Sequence, residues 1–351
     1  MGTYTRPTPA GSGRASGLYV FAYDEASGEL SLTQEIPEIE NPSYVCVSPD
    51  GRYLHCVWEV LEWSEGLVST YAIDGAAGSL SYLGVQGSRG TLTCYVAMDS
   101  RSRAAFASNY LSGSVTMFPV HPDGSLAEAA SVIRHAGSGP VEERQEGPHA
   151  HCTVVDPTDT YVFSADLGTD TIFGYRIDYE QGAMIPHCSL ALPPGSGPRH
   201  LVFTPDGRHC FIVNELASTI AAANYEPGDG TLALTDIYPT LPDTFKGTSE
   251  AADIHVHPSG RFVYSSNRGH DSIVMFSVDQ ATGRLEMLGH RSTEGASPRN
   301  FAISPDGRYL LVGNQGSDCI VTMPINQDTG LLGTTSSTVS VPTPVCLKFG
   351  R

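Results

Sequence analysis

The sequence predicts an all-β fold: one seven-bladed β-propeller domain over residues 1–351, its closing blade completed by the C-terminal strand. Three observations predict it. A strand–turn–strand unit recurs along the chain, each copy is followed by a second hairpin, and the two chain ends carry complementary parts of one more unit. No segment with helical period is long enough to compete.

In chain order, the first segments are GTYT, SGLYVFAYD (16–24) and GELSLTQEI (28–36), read as the last three strands of a blade. The recurring unit then appears as NPSYVCVSPDGRYLHCVWE (41–59), a worn copy GTLTCYVAMDSRSRAAFASNYL (90–111), GPHAHCTVVDPTDTYVFSADL (147–167), GPRHLVFTPDGRHCFIVNEL (197–216), AADIHVHPSGRFVYSSNRG (251–269) and SPRNFAISPDGRYLLVGNQG (297–316). Each is a strand, a tight turn of the Pro-Asp-Gly-Arg kind and a second strand. The second hairpins begin with stretches such as DTIFGYRID and DSIVMFSVD and turn through Gly-containing links. The segment TPVCLKFG (343–350) matches a first strand and supplies the innermost strand of the closing blade. A ring closed in this way leaves no exposed sheet edge.

Composition narrows the function. A formal charge of −18 argues against nucleic acid or an anionic membrane as partner, since both require a basic face. No apolar run is long enough to span a bilayer, and the N-terminus has no signal-like apolar core. Eight scattered cysteines without a C-x-x-C pair fit a reducing compartment, so a cytoplasmic location is expected. With only Lys246 and Lys348 as lysines, cationic work falls to arginine.

Calling the strands of a blade A to D from channel to rim, the A–B and C–D turns share one face and are short. The B–C and D–A connections share the other, and the long ones (6–16, 58–66, 135–146 and 241–250) make it the working face. His151, Arg199 and Arg299 each stand six residues before their turn prolines, at the start of strand A, and Asp253 sits one place further in. The ends of strand B carry Glu59, Tyr110, Asp166, Glu215, Arg268 and Gln315. Packing requires no charge there, so the ring reads as a polar ligand site. His149 and His151, two apart on one strand, are a metal-ligand pair, a base with a neighbour, or two histidines in an ordinary sheet; His151 is the better placed for chemistry, and His149 alternatively only shapes the loop. His255-x-His257 has the same spacing but lies toward the turn end. His200 is expected to face blade packing, and Glu142–Glu146 to be a solvated loop.

At GPHAH (147–151), GPRHLVF-x-PDG (197–207), VNEL (213–216), AADIHV-x-P-x-GR (251–261) and SNRGHDSI (266–273) the chain resembles the seven-bladed lactonase family. That family includes propeller-type 6-phosphogluconolactonases and fungal carboxy-cis,cis-muconate cyclase. The resemblance covers nearly the whole chain. It implies catalytic roles for His151 (or His149), Arg199, Glu215 and Arg268, with Asp253 close by. From their places in the sequence, His149, Asp253, Asp166 and Arg299 are expected to bind substrate. The implied activity is hydrolysis of a small anionic sugar lactone. No metal or other cofactor is expected, because the acidic and amide ligand motif of other lactonase propellers finds no match in this sequence. His151 would act as general base, an arginine would face the oxyanion, and Glu215 or Asp253 would orient or replace the base. No G-x-S-x-G elbow is present and no cysteine pairs obviously with a histidine, so water attacks directly. Two alternatives remain: a muconate-type cycloisomerase binding a diacid through the same arginines, and a non-enzymatic propeller using the Trp58–Trp63 loop to anchor a protein. Oligomeric state is left open.

Overall fold

The computed structural model describes residues 1–8, 11–75 and 78–350. Among these, six four-stranded antiparallel sheets follow one another, each made of consecutive strands. We number them blades I to VI. Their A strands are Val45–Val47, Thr93–Met98, Ala150–Val155, Pro198–Phe203, Glu250–Val256 and Pro298–Ile303. At the chain ends, Gly2–Thr3 pairs with Pro344–Cys346 and Gly17–Tyr23 pairs with Leu30–Pro37. Backbone bonds in both directions between Met1 and Tyr19 (2.8 and 3.2 Å) link the two pairs.

Burial explains the strand sequences. The B strands Ala104–Asn109 and Tyr161–Asp166 are buried at every residue because neighbouring blades cover both faces. Phe106, Phe163, Phe211 and Phe301 are wholly enclosed, each contributing roughly 1.5–3 kcal/mol. Outer strands such as Leu30–Pro37 expose most residues. The A–B turns follow the predicted chemistry. Ser48, Thr204 and Ser304 each donate a hydroxyl bond of 2.6 Å to the Asp two residues on. The glycine of the turn is left-handed, as at Gly207 (φ 68°), and the copy at 147–167 puts Asp159 (φ 57°) there instead.

One irregularity repeats. Near the start of strand A in blades II to VI the pairing register slips, as between Thr93 and Tyr95, Ala150 and Cys152, Pro198 and His200, Ala251 and Ile254, and Pro298 and Asn300. These are β-bulges, which place two residues against one and re-aim side chains. Consecutive residues therefore both face the axis. A void of about 10 Å³ there is lined by Arg199 together with His200 and by Arg299 together with Asn300. His200, expected in blade packing, faces the channel for this reason.

Candidate active site

A cleft of about 600 Å³ opens at the channel mouth on the B–C and D–A face. Each of the four long loops lends it side chains: Thr8, Glu62, Arg144 and Glu250 among them. The residues just after strand B form its wall. Glu215 follows Asn214, which pairs with Pro198, and Tyr4, Glu59, Tyr110 and Arg268 stand in the corresponding places. Beneath them the bulge residues Cys94, His151 and Arg299 form the floor, and Arg199 borders the void below.

Glu215 is 3% exposed and sits among three guanidinium groups. Its Oε2 lies 2.9 Å from Arg199 Nε and 2.8 Å from an Arg268 terminal nitrogen, while Oε1 takes Arg144. Burial opposes its charge, but Arg268, Arg199, His151 and Arg144 outweigh that and hold the carboxyl well below its usual range. Glu250 also pairs with Arg144 (2.6 Å) and Arg268 (3.5 Å). Arg199 bonds the carbonyl of Ala252 (2.5 Å) and Nε2 of His200 (3.0 Å), whose Nδ1 meets Asp253 (2.7 Å).

His151 is 6% exposed. Burial, then Arg199 and His200, push its pKa well below 6.5, so the ring is neutral at working pH. Its Nδ1 faces Cys94 Sγ at 4.0 Å, and among the described residues none bonds Nε2. Here a cysteine does stand beside the histidine, contrary to expectation. Burial drives its thiol well up, however, and Sγ also lies against the backbone carbonyls of Ser108, Ala150 and His151. It is no thiolate nucleophile. His149 and His151 do not share a target. The Tyr110 ring stacks on His149 (4.4 Å, 12°) and meets His151 edge-on (5.5 Å, 82°). His149 bonds Glu146 and the Tyr110 carbonyl, both at 3.1 Å. Among the described residues no three His, Cys, Asp or Glu side chains converge to hold a metal.

The structure thus brings together His149, His151, Glu215, Arg268 and Arg299 at the cleft, with Arg199 directly below. It does not bring Asp166 or Asp253 there. Asp166 pairs with Ala150 and so corresponds to Asn214, one residue short of Glu215. A one-residue offset turns a strand side chain to the other face. Its carboxylate instead accepts from His149 N (2.9 Å) and Thr169 N (3.1 Å) and meets His135 (2.5 Å). Asp253 lies one layer deeper, level with His200. Its oxygens are taken by His200, His255 (3.0 Å) and Asn300 (2.5 Å), and it lines a separate pocket toward the other end of the channel.

Three site residues were missed from sequence. Tyr4 precedes the recognisable repeats, and only its place after Thr3, which pairs with Pro344, aligns it with Glu215. Arg144 lies in the loop expected to be solvated. Gln145, fully buried and bonded to Leu167 O and Asp170 Oδ1 (both 2.8 Å), pins that loop so that Arg144 reaches Glu215. Glu250 ends a D–A loop, with no pattern to mark it.

Residues 1–349 match the family described as lactonase, 7-bladed β-propeller. A 6-phosphogluconolactonase of Bacillus subtilis is 36% identical over 349 residues, covering 99% of this chain and 97% of that one. A 6-phosphogluconolactonase of Formosa agariphila is 34% identical, covering 86% and 85%. Among solved structures, the periplasmic gluconolactonase of Pseudomonas aeruginosa superposes with a TM-score of 0.92 at 34% identity, over 100% of this chain and 98% of that one. With the fold, the mouth and the full-length match in agreement, the chain belongs to the seven-bladed β-propeller lactonase family.

Proposed function

We propose that this protein hydrolyses a sugar lactone at the channel mouth by direct attack of water, with His151 as general base. The carrying observation is the His151 ring at the cleft floor, its Nε2 without a protein partner among the described residues; burial, Arg199 and His200 favour its neutral form. It shares with Arg199, Arg299 and Glu59 a void of about 10 Å³, about the room one water needs. Arg268, 12% exposed in the wall, is the guanidinium set to face the carbonyl oxygen as it gains charge. Glu215 fixes Arg199 and Arg268 in place. Both of its oxygens are committed, so it is a poor acceptor for a water proton. The names of the relatives support the lactone class. The test is acid release from fresh 6-phosphoglucono-δ-lactone and glucono-δ-lactone in a pH-stat. Acceleration over the spontaneous rate, falling by about 10²- to 10⁴-fold in His151→Gln, is expected. No acceleration of either lactone overturns the reading.

A second reading of substrate charge has its own support. Arg144, Arg199 and Arg268 are each paired with Glu215 or Glu250, and Arg299 bonds Tyr4. Glu62, Glu143 and Glu146 add further carboxylates to the cleft. This favours an unphosphorylated lactone and weighs against a diacid, hence against the cycloisomerase alternative. A 600 Å³ cleft likewise suits a small molecule better than a flat docking face. We further read the two strand pairs at the chain ends as one closing seventh blade, with Pro344–Cys346 innermost.

A further inference from the structure

Lactone hydrolysis moves two protons. Water loses one as its oxygen bonds the carbonyl carbon, and the ring oxygen gains one as its bond to that carbon breaks. His151 serves the first event. We propose that Glu59 serves the second, as the catalytic acid that protonates the departing ring oxygen. This rests on the lactonase reading above and adds a residue to it.

The geometry is as follows. Glu59 follows strand B of blade I and lines both the cleft and the small void that His151 lines, so the two side chains border one space. Both of its oxygens lie at the Tyr4 hydroxyl, 3.2 and 3.1 Å away. Arg299 is the nearby cation, yet its guanidinium donates to the Tyr4 oxygen (2.9 Å), leaving the Tyr4 proton for Glu59. Among the described residues no arginine, lysine or histidine nitrogen forms an ion pair with Glu59, whereas Glu215 has three arginines. Burial lifts the Glu59 carboxyl above its ordinary range against the opposing pull of Arg299, Ser43, Tyr4 and Arg199, opposite to the direction at Glu215. Two carboxyl groups driven apart by their surroundings in one cleft is how acid and base roles are divided.

The step balances. His151 Nε2 takes a proton from water as the C–O bond forms, and the carbonyl pair moves to oxygen. As that pair returns, the ring C–O bond breaks, its electrons go to the ring oxygen, and this oxygen takes the Glu59 proton. The product is the open hydroxy acid, and exchange with solvent restores protonated Glu59 and neutral His151.

The experiment compares Glu59→Gln with the unaltered protein on glucono-δ-lactone and on dihydrocoumarin, whose ring oxygen leaves as a stabilised phenoxide needing no acid. The expected result is a fall in kcat of about 10²-fold or more on the sugar lactone, and of about threefold or less on dihydrocoumarin. The alkaline limb of the kcat–pH profile on the sugar lactone should vanish with it. Tyr4→Phe removes a hydrogen bond that favours the ionised carboxylate, so it should move that limb to higher pH. Equal losses on both substrates, or an alkaline limb unmoved by either variant, overturn the role of Glu59 while leaving the lactonase reading intact. If dihydrocoumarin is not turned over at all, the limb on the sugar lactone decides. Failure of the unaltered protein on every lactone overturns the reading and this role together.

Discussion

A histidine serving as a base near neutrality need not have an ordinary pKa. His151 accepts a proton only when neutral, and burial with the Arg199 charge keeps it neutral far below pH 6.5. Lactonase kcat/KM should therefore hold level between about pH 7.5 and 6, where an unperturbed histidine base would lose roughly half its active form or more. A pH–rate profile on glucono-δ-lactone checks this, and an acidic limb centred near 6.5 would exclude His151. Arg144 is the rim guanidinium, 34% exposed and shared between Glu215 and Glu250. With Arg144 so committed, Arg144→Ala should raise KM for the phosphorylated and the unphosphorylated lactone alike. Parallel kinetics on the two lactones test it. At this scale the sequence revealed His151, Arg199 and Glu215 because the repeats align them. It misplaced Asp166 by one residue, since SADL and VNEL align by eye but not by register.

The element that creates the site is the bulged start of strand A. Alternation along a strand predicts that Arg199 and His200 part company, and the register slip cancels that prediction. Because pairing is a property of two strands, the slip was not legible from either one alone. The loop at 135–146 illustrates the same limit, for its charged residues read as solvated until Gln145 is seen to be buried. Gln145→Ala strands Leu167 O and leaves Asp170 Oδ1 to Gly197 N (2.7 Å), at about 1–3 kcal/mol. It should speed hydrogen exchange at residues 139–147 and weaken substrate binding, as mass spectrometry and KM will report. Elsewhere, a B strand carries a buried titrating group, His55, bonded to Thr70 (3.1 Å). Burial lowers its pKa to about 4. With the folded value depressed, the stability is complete above about pH 6.5 and is lost as pH falls toward 4, on the order of 3 kcal/mol. Thermal melts of His55→Gln should show a flatter decline across that window.

For the whole molecule, the repeats made the ring of blades legible, since Ser/Thr-Pro-Asp-Gly turns mark three of the six A–B hairpins and looser variants of the same turn mark the other three. The junction of the chain ends was legible only as complementarity between GTYT and TPVCLKFG, too short for periodicity to identify. The structure pairs Gly2 with Cys346 and buries Val345, Cys346 and Leu347. Deleting residues 344–350 should remove several kcal/mol of burial and lower Tm sharply, measurable by calorimetry.

The repeated bulge has a consequence for how such a protein changes over time. Its extra residue stands outside the ladder, so replacing it leaves the inter-strand bonding intact. Cys94, His151, Arg199 and Arg299 already show three side-chain types at one architectural address in four blades. Chemistry at the mouth can thus be rewritten one blade at a time while the scaffold stays folded, and a family sharing one ring can diverge in what it acts upon.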